Sequence, residues 1–217
     1  MERALIIGAS GGIGQAIAST LVARGVSVTA LSRSVDGLDL TDEASVARVL
    51  GALDGPFDLV FVASGALGDP EKSLKDLDAG AMAMQFAINT IGPALILAHA
   101  PRLLPRKGRS VFAALSARVG SIGDNRLGGW YSYRASKAAL NQVLRSGAIE
   151  IARSHREAIV TALHPGTVAT SFTAEYRGRH PAVAPQTSAE NLLRVIDGLT
   201  PADSGNFYDW QAERIAW

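Results

Sequence analysis

Short apolar runs alternate with longer helical stretches along the whole chain, and this alternation restricts the fold more than any other feature. Residues 4–7 are continuously apolar, as in a strand buried on both faces. Residues 26–31, 57–63, 110–115, 158–163 and 206–208 read as further strands. Helical patterns cover residues 13–23, ended by Gly25, and a stretch running to residue 53 that Thr41 or Asp42 can cap. A long helical region over 80–104 is interrupted near Gly92-Pro93, and two more helices cover 131–153 and 188–198. Alternation of this kind predicts one α/β domain over residues 1–217, a doubly wound, mostly parallel sheet with helices on both faces. Ligands of such sheets sit at the carboxyl ends of the strands.

Composition narrows the function classes. With 217 residues, 47% of them hydrophobic, the chain is long enough to bury a sizeable core and too apolar for disorder. The 21 basic and 20 acidic residues leave a net charge of +1, with no electrostatic footprint for nucleic acid or an anionic membrane. The absence of cysteine excludes disulfides, thiolate metal sites and cysteine nucleophiles, and no metal site is expected. The segment from Met1 to Leu5 runs directly into a strand pattern, with no signal peptide ahead of it. No apolar run is read as reaching spanning length, so a cytoplasmic protein without a membrane partner is expected.

A glycine-rich turn, Gly8-Ala9-Ser10-Gly11-Gly12-Ile13-Gly14, joins the first strand to the first helix. Glycine allows close backbone approach, and a helix N-terminus offers unpaired N–H groups to a pyrophosphate. After the second strand come Ser32 and Arg33. An acid there would hold the 2′-hydroxyl of NAD, whereas arginine suits the 2′-phosphate of NADP. NADP(H) is therefore preferred and NAD(H) is the alternative, with Asp36 as a competing ribose ligand if the loop curls back.

Tyr133 and Lys137 are four residues apart near the start of a predicted helix and share one face. Given four tyrosines and four lysines in the chain, this spacing is expected by chance only about 0.07 times. A phenol ionises near pH 10, too high for proton exchange at neutral pH, and a neighbouring ammonium lowers that value. The pair is thus a candidate general acid/base beside a hydride donor. His164, next to an apolar strand, reads as packing, while Trp130 is placed to line a substrate mouth.

Together these motifs resemble the short-chain dehydrogenase/reductase family over essentially the whole chain. The likeness is greatest to the small bacterial branch containing the C-factor signalling protein, on the stretch from Arg118 to Asn125 and from Gly129 to Lys137. The resemblance implies a single-domain Rossmann fold and NADP(H)-dependent exchange of a hydride with a small carbonyl or alcohol. It implies cofactor contacts from Gly8, Ser10, Gly12, Ile13 and Gly14, and from Asp39 and Leu40 at the adenine. Ala63-Ser64-Gly65 stands where the family usually shows Asn-Asn-Ala-Gly, and Pro165, Gly166, Val168 and Thr170 match the segment that holds the carboxamide. Lys137 would hold the nicotinamide ribose and depress the Tyr133 pKa, and Asn89 would support a water relay. The family's catalytic serine aligns with Ala117, which leaves Ser116 as first candidate for polarising the carbonyl and Ser121 as second.

That departure keeps a second reading open: an NADP-binding regulatory protein with little turnover. Specificity is expected from residues 171–186, including Phe172, Tyr176 and Pro181, with an open site for compact aldehydes, ketones or quinones. A homodimer paired through the helix bearing Tyr133 and the one before it is the assembly that the resemblance favours.

Overall fold

The computed structural model of the chain describes residues 1–173 and 182–217. Its six strands are β1 (Arg3–Ile7), β2 (Ser27–Leu31), β3 (Leu59–Val62), β4 (Ser110–Leu115), β5 (Ala158–His164) and β6 (Asn206–Asp209). They pair in the order β2-β1-β3-β4-β5-β6, and every pairing is parallel. Helices α1 (Gly12–Ala23), α2 (Arg33–Asp36), α3 (Glu43–Gly51), α4 (Ala79–Phe86), α5 (Gly92–Ala98), α6 (Ala100–Leu103), α7 (Tyr131–Ile151) and α8 (Pro185–Gly198) connect them. The predicted doubly wound sheet is present.

Side-chain alternation explains why both faces are covered. Leu5, Ile7, Val60, Val62, Phe112 and Ala114 join one apolar cluster with Val46 and Leu50 of α3, Ile96 of α5 and Leu140 of α7. Their strand neighbours Ala4, Ile6, Leu59, Phe61, Val111 and Ala113 join a second, with Ile17 of α1 and Leu192 and Ile196 of α8. A two-residue period thus sends alternate side chains to opposite layers. Each fully buried large side chain contributes roughly 1.5–3 kcal/mol.

The structure departs from the sequence-based expectations in four places. The short helix α2 was not anticipated; Ser32 caps it by accepting the Val35 N–H. The last helix starts at Pro185 rather than near 188, because proline is preorganised for a first helical turn. The 80–104 region divides into α4, a π-helical turn (Ala87–Ile91), α5 and α6. Pro93 brings no N–H to the carbonyl of Asn89, four residues back, which accounts for the bulge there. Finally, Ala79–Ala98 is 20 residues long with a mean hydropathy of 1.5, long and apolar enough to cross a membrane, contrary to the expectation that no run would be. In this fold it turns Gln85, Asn89, Thr90, Ile96 and Leu97 into the interior, and Asn89 and Thr90 bond to Ser136 of α7.

Candidate active site

The chain leaves β1 for β2 on one side and returns to β3 on the other, so the loops after β1 and β3 flank a crevice at the carboxyl edge of the sheet. These loops touch. A Cβ on Gly8, whose φ is +84°, would stand 2.9 Å from the Ser64 nitrogen. A Cβ on Gly14 would collide with the Gly8 carbonyl oxygen, and one on Gly12 would lie 2.7 Å from Cγ2 of Thr170. The glycine turn is therefore closed on three sides by this chain's own atoms. Ser10 stands exposed on it.

Three features of this corner suit a dinucleotide. Helix α1 has neither a side-chain cap nor an acid in its first turn, so its N–H groups and positive dipole end await an anion. Gly11, Gly12 and Ile13 line the adjoining cleft. The Ser64 hydroxyl is buried without a hydrogen-bond partner among the described residues, as expected of a group that a ligand satisfies.

Beyond β2, Arg33 is exposed as the first residue of α2. Asp36 does curl back: its carboxylate accepts the Ser32 N–H at 2.7 Å. The Ser32 hydroxyl caps α2 by accepting the Val35 N–H at 3.3 Å and lies 3.5 Å from the Asp36 carboxylate. Asp39 accepts from the Thr41 N–H and hydroxyl, which hold its carboxyl below the usual range. Leu40 packs on the core and faces Gly92, where a Cβ would meet it at 2.6 Å.

Tyr133 and Lys137 both lie on the buried face of α7 and line the cleft. The Lys137 ammonium donates to the Leu115 carbonyl at 2.9 Å and lies 5.9 Å from the Tyr133 ring centre. The expected lowering of the Tyr133 pKa by Lys137 is not what the structure shows. Burial disfavours the charged form of both groups, raising the Tyr133 pKa and pushing Lys137 down to about 7. Asn89, fully buried, accepts from the Ala66 N–H and donates to the Ala66 carbonyl, both at 2.8 Å, and donates to Ser136 at 3.1 Å. A Cβ on Gly65 would approach Asn89 Oδ1 at 3.3 Å and Lys137 Nζ at 3.5 Å, so Ala63-Ser64-Gly65 runs directly over this pair.

The two serine candidates are both buried. The Ser116 hydroxyl donates to Asn141 Oδ1 at 2.6 Å, and the Ser121 hydroxyl accepts the Asp124 N–H at 3.1 Å. Ser116 and the half-buried Ala117 line the cleft, and Ser121 does not. Pro165, Gly166, Val168 and Thr170 form the opposite wall, pinned by the pairing of Val168 with Val183. Aromatic rings flank the phenol, Trp130 at 6.1 Å and Phe172 at 6.3 Å between ring centres. The whole cleft measures about 880 Å³. Tyr176 and Pro181 lie outside the described residues.

Several contributors take their roles from partners distant in the sequence. Arg118 bridges Asp124 at 3.3 Å and the buried Asp209 of β6 at 2.7 Å. His164 sits beside this group, its Nδ1 buried and without a partner among the described residues. Burial, reinforced by Arg118, lowers its pKa to about 4 against the pull of Asp209, so it is neutral near pH 7. Asn141 and Glu71 were also missed, because their partners lie 25 and 61 residues away.

Residues 8–209 match the family model described as enoyl-(acyl carrier protein) reductase. The chain is 34% identical to the 1-hydroxy-2-glutathionyl-2-methyl-3-butene dehydrogenase of Rhodococcus sp. (strain AD45), over 100% of both chains. It is 38% identical to the C-signal of Myxococcus xanthus, over 75% of this chain and 94% of the other. Among solved structures, the NADPH-bound carbonyl reductase from chicken fatty liver superposes with a TM-score of 0.86 at 21% identity, covering 100% of this chain and 94% of that one.

Proposed function

The chain belongs to the short-chain dehydrogenase/reductase family of oxidoreductases, and on that premise we propose that it interconverts a small carbonyl and its alcohol with NADP(H), using Tyr133 as general acid/base. The observation that carries this reading is one continuous cleft. It runs from the uncapped start of α1, past Ser64 and Gly65, to Tyr133 and Lys137.

The first N–H groups of α1 would receive the pyrophosphate, and Arg33 the 2′-phosphate. Asp36 remains tied to the Ser32 N–H, and Arg33 is exposed at this corner. Lys137 would reach the nicotinamide ribose, and Pro165 to Thr170 the carboxamide. When bound, the nicotinamide supplies or receives the hydride, chemistry that no side chain here performs. Tyr133 hands its proton to the substrate oxygen. Its raised pKa keeps the phenol in the proton-donating form through neutral pH, though as a weaker acid than a free phenol. Leu67, Leu127, Trp130 and Phe172 make the substrate end apolar, fitting compact aldehydes, ketones or quinones.

One observation favours the second reading, a cofactor-binding protein with little turnover. The Ser116 proton is committed to Asn141, and Ala117 presents only a methyl group to the cleft. A single experiment separates the two. NADPH affinity and NADPH-dependent reduction of a carbonyl panel are measured for the wild type and for Tyr133→Phe. The enzyme reading expects turnover that falls about 10²–10⁴-fold in the variant, with NADPH affinity preserved. NADPH binding without turnover in the wild type would establish the second reading. Activity confined to bulky steroids would refute the substrate range.

A further inference from the structure

The helix that carries Tyr133 begins without a cap of its own. Trp130, the residue before it, has φ 53° and ψ 41°, left-handed backbone that a non-glycine residue adopts only under constraint. Its indole has no acceptor for the first-turn N–H groups of α7. Glu71, which is 7% exposed and does not line the cleft, holds this turn at two points. The Glu71 carbonyl oxygen accepts the Trp130 N–H at 2.7 Å. Its carboxylate accepts the Ser132 N–H at 3.3 Å on each oxygen and also accepts the Ser132 hydroxyl, which is fully buried.

Burial by itself would raise the carboxyl pKa, but hydrogen bonds from Ser132 and the backbone outweigh it and hold the group below the ordinary carboxylate range. Glu71 is therefore an anion at the positive end of α7, the favourable sign there. Tyr133 follows Ser132 directly, and the Trp130 ring packs edge-on against its phenol. Two of the groups beside the phenol, Trp130 and Ser132, are thus held by one residue through its side chain and its backbone.

We infer that Glu71 is a positioning residue for the reaction: by clamping Trp130 and Ser132 from a distant loop it fixes the first turn of α7 and the aim of the Tyr133 hydroxyl. The inference rests on Tyr133 being the proton donor, as read above. A misplacement of about 1 Å at a reacting group lowers rates by up to about a hundredfold, so the clamp acts on kcat rather than on binding.

The test compares Glu71→Ala and Glu71→Gln with the wild type in kcat, KM and NADPH affinity, with thermal unfolding recorded alongside. We expect kcat to fall about tenfold or more in Glu71→Ala, equivalent to ~1.4 kcal/mol in the barrier, with KM and NADPH Kd within about twofold. Glu71→Gln keeps an acceptor oxygen without the charge and should recover part of that loss. Wild-type kcat in both variants overturns the inference. So does a fall in kcat accompanied by a rise in KM and a loss of cofactor affinity, which marks a residue that only supports the scaffold. If Glu71→Ala does not fold, the glutamine variant decides: a kcat lowered about threefold or more at constant KM supports the inference, and an unchanged kcat overturns it. If the wild type binds NADPH but reduces no carbonyl, the functional reading fails separately. Glu71 is then judged by nuclear Overhauser contacts between the Tyr133 and Trp130 rings. Loss of these contacts in Glu71→Ala, with partial recovery in Glu71→Gln, supports the clamp, and their retention in Glu71→Ala refutes it.

Discussion

Replacing Lys137 with methionine should stabilise the fold while abolishing turnover. Lys137 is 3% exposed and, among the described residues, donates one hydrogen bond, to the Leu115 carbonyl. Burial lowers its pKa from 10.5 to about 7, a difference equivalent to roughly 5 kcal/mol, nearly all of it present at pH 7. The unfolded chain holds the proton throughout this window and the folded chain releases it, so wild-type stability rises with pH from about 7 to about 10. Methionine keeps the apolar stem and length, removes the charge, and loses a hydrogen bond worth about 1 kcal/mol. Allowing for an interior more polar than dry protein, the variant should gain ~3 kcal/mol at pH 7. That advantage should fade as the pH approaches 10. Urea unfolding of both proteins at about pH 7 and about pH 9.5 measures the difference. A variant no more stable than wild type at pH 7, or an advantage independent of pH, would refute the argument that burial of this amine is a cost carried for function.

The remaining predictions concern the cofactor corner and the missing hydroxyl. Arg33→Ala should weaken NADPH binding about ten- to a hundredfold and leave NADH binding unchanged by calorimetry; equal losses for both would remove Arg33 from the 2′-phosphate. Ala117→Ser places a donor on the cleft wall beside Ser116 and should raise kcat at least about tenfold with KM little changed, whereas an unchanged kcat would show that polarisation is already complete. Gly14→Ala drives a methyl group into the Gly8 carbonyl and should lower stability by about 1–3 kcal/mol or more. Gly11→Ala meets the same carbonyl at 3.4 Å, so its melting temperature should stay close to that of the wild type.

Much of this molecule was readable along the chain because its determinants are local. The apolar runs at residues 4–7 and 110–115 define strands by composition and length, and the period-two burial of Leu5 and Ile6 follows from backbone geometry alone. The glycine turn between β1 and α1 and the four-residue spacing of Tyr133 and Lys137 are likewise properties of short segments. Fold class and candidate chemistry were therefore legible in the sequence itself. What it could not settle depends on partners distant in the chain. The phenol and the ammonium share a helical face as expected, yet their proton affinities move oppositely to the simple pairing argument, because solvent exclusion by β4 and the flanking loops sets the local dielectric. Ser116 had the right chemistry for a substrate donor, but only the packing of α7 revealed that its hydroxyl donates to Asn141 Oδ1. Glu71 carries no local signal in the sequence, and only folding brings it to the start of α7, 61 residues from Ser132. Local sequence sets which backbone forms and which groups are on offer; the tertiary structure decides which of them are dry, which are already bonded, and so which remain to act.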